Sequence, residues 1–218
     1  MFLKVLALTD IHRSLNAAKG VANKIAEEHP DAILIAGDIS HGSLNEAVNL
    51  LQVLNSSQKD VFFVPGNMDP PELMNWNERS IKNLHGRCES LDNYSLIGVG
   101  GSVYTPFNTH LEFAENEIAE TLSQAFLKCT EKKNMILISH CPPKDTKLDR
   151  TTTGIHAGST SVRQFIESKK PVLVVTGHIH EARGIDKIDE TIIVNPGPAH
   201  MGRYVLIEFG EKIHVKLK

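Results

Sequence analysis

The sequence predicts an α/β fold, a four-layer α/β/β/α sandwich in which two mixed sheets pack face to face. Short apolar runs alternate with segments of helical period in the first third of the chain, which is typical of βαβ units and a largely parallel sheet. A second α/β half follows, and the C-terminal tail has the pattern of antiparallel strands. No Pro/Gly/Ser-rich linker or low-complexity segment separates the halves, so we expect a single domain over residues 1–218.

Three buried strands and two helices are predicted in the first half. The strands cover residues 2–8, 32–36 and 61–64, which are short and almost uninterrupted apolar runs. The spacing of apolar residues predicts helices over 15–28 and 44–54. Polar residues follow each strand directly, and ligands in open α/β sheets bind beyond the carboxyl ends of the strands.

The second half has the same alternation. Strands are predicted over 95–99, 135–139 and 172–176, and helices over 113–129 and 159–167. The second and third of these strands again end at polar residues, so the sequence predicts a second set of strand ends at the same edge of the sandwich.

Four further strands are predicted in the tail, over 185–188, 191–194, 204–209 and 212–217, with a hairpin turn at 208–212. Elsewhere, two long connections lack any periodicity.

The two long connections without periodicity run over residues 65–80 and 140–158. Each begins at a polar strand end, and loops longer than about 12–15 residues usually carry function or are disordered. We therefore expect both to line a functional site.

The charge balance argues against two classes of partner. Lys and Arg number 23 and Asp and Glu number 26, which gives a formal net charge of −3. An extended nucleic-acid surface or an anionic membrane would favour a basic excess, so neither is expected as a partner.

The cysteines and the N-terminus predict a cytoplasmic protein. Cys88, Cys129 and Cys141 are odd in number and form no C-x-x-C pair, so neither a disulfide framework nor a thiolate zinc site is expected. Asp10 ends the N-terminal apolar stretch too early for a secretory signal. No apolar run approaches the roughly 20 residues that span a bilayer.

Five strand ends carry side chains that bind metal ions. They are Asp10, His12, Asp38, Asn67, His140, His178 and His180. Each alone is more typical of a helix cap, a turn or a surface histidine. Together they converge at one edge, and oxygen and imidazole ligands without thiolate suit divalent Mn, Fe, Ni or Zn. Seven ligands are too many for one ion and suit two ions that share one group.

The order of these motifs resembles a known family. D-x-H, G-D, G-N, H and G-H-x-H, spread over residues 5–209, resemble the calcineurin-like metallophosphoesterase superfamily. The segments at 140–143, 154–159 and 195–197 are most similar to the Icc-related predicted phosphoesterases.

This resemblance implies a dinuclear metal centre. It assigns to the first ion Asp10, His12 and His180. It assigns to the second ion Asn67, His140 and His178, with Asp38 as the bridge. The implied reaction is hydrolysis of a small phosphoester, a nucleotide being one candidate, by a hydroxide that bridges the ions, with manganese among the candidate metals.

One position departs from the family pattern. Most of the superfamily has G-N-H-[DE], whereas Met68 stands here between Asn67 and Asp69. Methionine cannot protonate a leaving oxygen, so the family's usual acid is missing. Asp69 either orients that acid in the usual pattern or is a turn residue.

Another histidine could supply the proton or contact the phosphate. His156 is favoured because its loop begins at a predicted ligand, while His41, His110 and His200 remain alternatives. The missing acid predicts hydrolysis of activated aryl phosphodiesters and poor turnover of alkyl esters.

A second function stays open at this point. The same fold serves as a protein-interaction module in the retromer subunit that resembles the superfamily, and Met68 is compatible with such a metal-binding scaffold. A homodimer is a further expectation. Trp76, the only tryptophan, lies in the 65–80 connection and is suited to stack on a base or to cap the core.

Overall fold

Two six-stranded sheets form the centre of the protein, whose computed structural model describes residues 3–218. Phe2, the predicted first residue of the first strand, lies outside the described residues. With strands numbered along the chain, the first sheet contains β1 (Leu3–Leu8), β2 (Ala32–Ala36), β3 (Asp60–Val64), β4 (Ile81–Asn83), β13 (Val205–Phe209) and β14 (Ile213–Leu217). Their spatial order is β14-β13-β1-β2-β3-β4.

The second sheet is also mixed. It contains β5 (Cys88–Leu91), β6 (Tyr94–Val99), β9 (Met135–Ser139), β10 (Leu173–Thr176), β11 (Gly184–Ile188) and β12 (Thr191–Asn195). Their order is β11-β12-β10-β9-β6-β5. A short parallel pair lies beside this sheet and consists of β7 (Ser102–Val103) and β8 (Glu112–Phe113).

Within the described residues, four α-helices cover the two sheets. They are α1 (Leu15–Glu28), α2 (Leu44–Leu54), α3 (Glu115–Lys128) and α4 (Thr160–Lys169). Side-chain oxygens of Ser14, Ser43 and Ser159 accept hydrogen bonds from the first turns of α1, α2 and α4, which fixes where these helices begin. None of the helices over residues 3–218 combines the length and apolar character that crossing a bilayer requires.

Three hydrophobic cores separate the four layers. In β1, Leu6 packs towards α1 and α2, whereas Val5 and Ala7 face the space between the sheets, as the two-residue period of a strand requires. Leu34 and Ile136 meet in that central core, and a third core lies between the second sheet and α3 and α4. The predicted α/β/β/α sandwich is therefore confirmed.

The structure corrects several element boundaries. Strands β4 and β5 were not expected, because both are short and carry few apolar residues. Phe113 belongs to β8, so the helix predicted over 113–129 begins only at Glu115. The four tail strands are antiparallel in pairs as predicted, but β11 and β12 join the second sheet while β13 and β14 join the first.

A disulfide overturns the cysteine prediction. Cys88 on β5 bonds to Cys129 at the end of α3, across a sequence separation of 41 residues, and Cys141 alone is free. Because β5 was not anticipated, nothing in the sequence placed Cys88 beside that helix end. The cysteine count therefore no longer supports a reducing compartment.

Reducing the Cys88–Cys129 bond should lower the free energy of unfolding by about 4 kcal/mol, because the bond closes a long loop in the unfolded chain. Urea unfolding with and without reductant measures the difference. Thiol titration is the control: burial raises the pKa of the Cys141 thiol to about 12, so the folded protein should show no reactive thiol. The unfolded, unreduced chain should show one, and three there would mean that the bond is absent.

Candidate metal centre

All seven predicted ligands lie at one edge of the sandwich, just beyond strand carboxyl ends. Asp10 and His12 follow β1, and Asp38 follows β2, while the remaining ligands follow β3, β9 and β10. The backbone turns sharply at this edge, with φ of +56° at Asp10, +52° at Asp38 and +69° at His178. Left-handed backbone at residues other than glycine costs free energy and clusters at functional sites, which is the case here.

Glycine is required where the ligand loops pass one another. A Cβ atom at Gly66 would collide with the carboxylate of Asp38, and one at Gly37 would lie 2.6 Å from Nδ1 of His140. The G-D and G-N pairs of the sequence therefore allow two ligand loops to approach closely.

The first candidate metal position is formed by Asp10, His12 and His180. Nε2 of His12 lies 2.9 Å from Nε2 of His180, which in turn lies 3.3 Å from Oδ1 of Asp10. Ligands bound at about 2.0–2.2 Å to one ion would have separations of this order. The three residues assigned to the first ion are therefore brought together.

The second candidate position is formed by Asp10, Asp38 and His140. Oδ1 of Asn67 lies 2.9 Å from Nε2 of His140 and adds an oxygen to the same point. Nδ1 of His140 lies 2.6 Å from the carbonyl oxygen of Ala36. Donating its Nδ1 proton to that carbonyl leaves the Nε2 lone pair free for a metal ion.

Asp38 lies between the two positions. Its Oδ2 is 3.8 Å from Nε2 of His12, and its Oδ1 is 3.5 Å from Nε2 of His140. One oxygen thus faces each position, as a bridging carboxylate requires. Asp10 is the residue common to both groups of close ligand atoms, and Asp38 belongs to the second group alone.

His178 lies beside these groups rather than within them. Its ring centroid is 5.1 Å from that of His140, and no group of close ligand atoms among the described residues contains it. Its assignment to the second ion stays a prediction.

The carboxylates fit a metal ion. Both oxygens of Asp10 are buried, and neither accepts a hydrogen bond from the described residues. An unpartnered buried charge is strongly unfavourable, and bound cations would compensate it. Burial and the charge of Asp10 raise the pKa of Asp38 well above its usual range. Both buried acids lie close to His12, and bound cations would supply the positive charge that such a pair of acids needs.

Two of the histidines are in the form that binds metal. Burial lowers the pKa of His12 to about 4 and the pKa of His178 to about 3. Both imidazoles are therefore neutral at pH 7, with a lone pair for coordination.

Other histidines surround the first position. Nε2 of His41 lies 2.7 Å from Nδ1 of His12. The ring of His200 lies 5.4 Å from that of His12 and 5.7 Å from that of His180, measured between centroids. His41 thus contacts Nδ1 of His12, whereas Nε2 of His12 faces the metal position. A group that orients a histidine ligand contacts it at this outer ring nitrogen.

Asp69 has a role that the sequence did not reveal. Its carboxylate accepts hydrogen bonds from the backbone N–H groups of Ile39 (3.1 Å), Ser40 (2.7 Å) and Gly66 (2.8 Å). It therefore ties the loop that carries Asp38 to its own loop instead of orienting a catalytic acid. The only signal for Asp69 in the sequence was its place at the acidic position of the G-N-H-[DE] motif.

His156 lies in the second long connection and contacts a buried acid. Its Nδ1 is 2.7 Å from Oδ1 of Asp149, which is fully buried. Asp149 also accepts backbone hydrogen bonds from Asp145, Thr146 and Gly158, so it fixes the shape of this connection. His156 lines a groove that His178 also lines, but it is not one of the grouped ligand residues.

The chain is similar in sequence or in fold to several known proteins. An uncharacterized protein of Methanocaldococcus jannaschii is 36% identical over 202 residues, which are 90% of this chain and 89% of that protein. A crystal structure from Thermus thermophilus has a TM-score of 0.77 at 19% identity, covering 100% of this chain and 99% of that one. A dimetal phosphatase from Danio rerio has a TM-score of 0.67 at 11% identity, covering 99% and 95%.

The two solved structures share the fold of this chain. The family model described as calcineurin-like phosphoesterase matches residues 3–182, which include all seven predicted ligands. That match confirms the resemblance seen in the motifs, and the chain belongs to the calcineurin-like phosphoesterase family.

Proposed function

We propose that the protein is a phosphodiesterase that uses two divalent metal ions. The observation that carries the proposal is the pair of ligand groups that share Asp10, together with Asp38, whose two oxygens face His12 of one position and His140 of the other. When bound, paired ions lower the pKa of a coordinated water and neutralise charge on the phosphoryl oxygens. A monoester brings two negative charges and a diester one, and both acids of the site are already buried.

The chain's own residues hold and orient the reacting groups. Asn67 contributes an amide oxygen without further charge. The N–H group of Met68 donates to Oδ1 of Asp38 at 2.9 Å, which fixes the rotation of that carboxylate. Met68 therefore positions the site through its backbone, although its side chain cannot donate a proton.

His156 is proposed as the group that contacts the phosphate or protonates the leaving oxygen. Asp149 holds Nδ1 of the imidazole, which leaves Nε2 for a substrate in the groove that His178 also lines. The half-exposed ring is accessible to such a substrate.

The experiment compares two diesters of similar size after loading with manganese. Bis(p-nitrophenyl) phosphate has a good leaving group and dibenzyl phosphate a poor one. Because general acid catalysis contributes typically about 10²–10⁴-fold, we expect rapid turnover of the first and very slow turnover of the second. Met68→His should raise turnover of dibenzyl phosphate selectively. Equal rates on both esters in the wild-type protein would contradict the absence of a strong acid and would favour proton donation by His156 over a contact with the phosphate.

Met68 also supports a second candidate function, a metal-binding scaffold that interacts with another protein. Metal analysis together with the same assay separates the two. Bound metal without turnover of any ester would favour the scaffold.

Metal identity and assembly complete the proposal. The proposed metal is one of Mn, Fe, Ni and Zn, because oxygen and imidazole ligands accept all four. Manganese is the one proposed for the assays. A small phosphoester such as a nucleotide is the proposed substrate, and a homodimer is the proposed assembly. The cytoplasm is the proposed location, now without the support of the cysteine count because Cys88 and Cys129 are bonded.

A further inference from the structure

We propose that the groove beside the metal centre binds a planar aromatic group of the phosphoester, next to the phosphate. This inference rests on the proposed function and adds the class of substrate. The groove has a volume of about 840 Å³, and its lining includes Tyr104, Phe107, Ile155 and, at the metal edge, His178.

Large apolar side chains are exposed in this groove to an unusual degree. Tyr104 is 70% exposed, Phe107 81% and Ile155 64%. These are three of the seven large apolar side chains that are exposed over residues 3–218. A concentration of apolar surface beside a catalytic centre is typical of a ligand site. Two aromatic rings on one loop favour a flat partner, because offset or edge-to-face ring contacts add to the gain from burial.

The loop that carries Tyr104 and Phe107, here called the aromatic loop, is held rigidly. Its turn is closed by Glu112, whose carboxylate accepts hydrogen bonds from the backbone N–H and hydroxyl groups of both Thr105 and Thr109. Burial raises the pKa of Glu112, but these four bonds outweigh burial and lower the pKa to about 2. The loop is therefore ordered before any ligand binds, which reduces the entropy lost on binding.

The same loop is attached to the metal centre. Nδ2 of Asn67 donates to Oγ1 of Thr109 at 3.0 Å, and the N–H of Leu111 donates to the carbonyl oxygen of Asn67 at 3.1 Å. The side chain of Asn67 thus joins the loop through its nitrogen, while its oxygen faces His140. A metal ligand and the aromatic loop are set in a fixed relation by one side chain.

The opposite wall is attached to the metal edge in the same way. The N–H of Thr152 donates to Glu181 at 2.8 Å, and Glu181 directly follows the predicted ligand His180. The N–H of Thr151 donates to the carbonyl oxygen of Ile155, and the N–H of Ile155 donates to Oγ1 of Thr151, which shapes the turn carrying Ile155. Both walls of the groove are therefore held at a fixed distance from the metal centre.

The groove is lined by Glu115 and Glu181 as well as by Lys144, so positive charge for a phosphate would come from Lys144 and from ions at the metal centre. Glu115 accepts hydrogen bonds from the first residues of α4, so its charge is compensated there. Lys144 also lines the groove and forms no ion pair with the described residues 3–218. A phosphate near Lys144 and the ions would leave its organic substituent against the apolar side chains.

The test uses two diesters with the same leaving group, methyl p-nitrophenyl phosphate and benzyl p-nitrophenyl phosphate. Both esters carry the aromatic p-nitrophenyl leaving group, and they differ only in the substituent that stays on phosphorus. We expect kcat/KM at least about 10-fold higher for the benzyl ester, since the groove would bury the benzyl ring of that retained substituent. Phe107→Ala should reduce this benzyl-to-methyl ratio to near one. Leu127→Ala is the matched control, because Leu127 is 71% exposed on α3 and does not line the groove. A wild-type ratio near one would overturn the inference.

A binding measurement separates failure of this inference from failure of the proposed function. If neither ester is hydrolysed, the phosphodiesterase proposal is wrong, and calorimetry of the manganese-loaded protein then compares benzylphosphonate with methylphosphonate. Tighter binding of benzylphosphonate that Phe107→Ala abolishes supports the aromatic groove without catalysis. Benzylphosphonate that binds no better than methylphosphonate, including no binding of either, overturns it. Thermal unfolding of each variant verifies that it is folded.

Discussion

Replacing Asp38 with asparagine is expected to lower phosphodiester turnover by more than about 10²-fold and to remove at least one metal ion. Even groups that only orient metal ligands contribute about 10–100-fold to affinity or activity, and Asp38 faces both metal positions. Asparagine tolerates the left-handed backbone at this position and keeps an oxygen for the N–H group of Met68. The substitution therefore removes the negative charge and one oxygen while keeping the shape.

The matched control is Asp189→Asn. Asp189 is exposed on the turn between β11 and β12, and its φ of +50° is close to that of Asp38. Metal content by mass spectrometry and manganese affinity by calorimetry give readouts that do not depend on activity. Asp38→Asn protein that retains two tightly bound ions and full turnover would show that the carboxylate is not shared.

The ligand positions could be predicted because they depend only on where buried strands end. Parallel strands of one sheet place their carboxyl ends at one edge whatever the loops do, so Asp10 and Asp38 had to meet once their strands were recognised. His140 follows β9 of the other sheet and joins them because the two sheets pack face to face. Strongly apolar strands such as β2 and β9 are recognisable from local sequence alone. The same reasoning located the four-layer sandwich, because each half has its own strands and helices.

The contacts that shape the site could not be predicted in this way. Thr109, whose hydroxyl group also donates to Glu112, accepts a hydrogen bond from Asn67 across 42 residues, and it lies in a segment without periodicity. Cys88 lies on a short, half-buried strand that has no strong apolar pattern, so its bond to Cys129 was missed. Hydrogen bonds between irregular segments leave no period in the sequence, although they determine how the ligand loops are held.

The left-handed backbone at the ligands explains why the site needs the carboxylate of Asp69. Loops that turn sharply enough to present Asp10 and Asp38 lose the regular backbone hydrogen bonds of a strand. Their N–H groups then need other acceptors, because a buried unpaired N–H group is costly. The carboxylate of Asp69 supplies such an acceptor to the loop after β2 and to Gly66. Strain at the ligands is thus supported by an acid that binds no metal.

Asp69→Ala is accordingly expected to lower the free energy of unfolding of the metal-free protein by about 3–5 kcal/mol. Three backbone N–H groups lose their acceptor in a fully buried position, and each unsatisfied group costs about 1–3 kcal/mol, part of which entering water recovers. Urea unfolding measures the loss, with Asp60→Ala at the exposed start of β3 as the control. A loss below about 1 kcal/mol would mean that the loops hold without the carboxylate.

Asp69→Asn separates the hydrogen bonds from the volume of the side chain. Both carboxylate oxygens accept from N–H groups, so an amide must point its NH₂ group at a donor on one side whichever way it is turned. We expect a loss of stability smaller than that of Asp69→Ala, together with weaker manganese binding, because the loop carrying Asp38 would move away from Gly66. Unchanged manganese affinity at reduced stability would restrict Asp69 to the fold, since the ligand geometry would then survive without its two-sided contact.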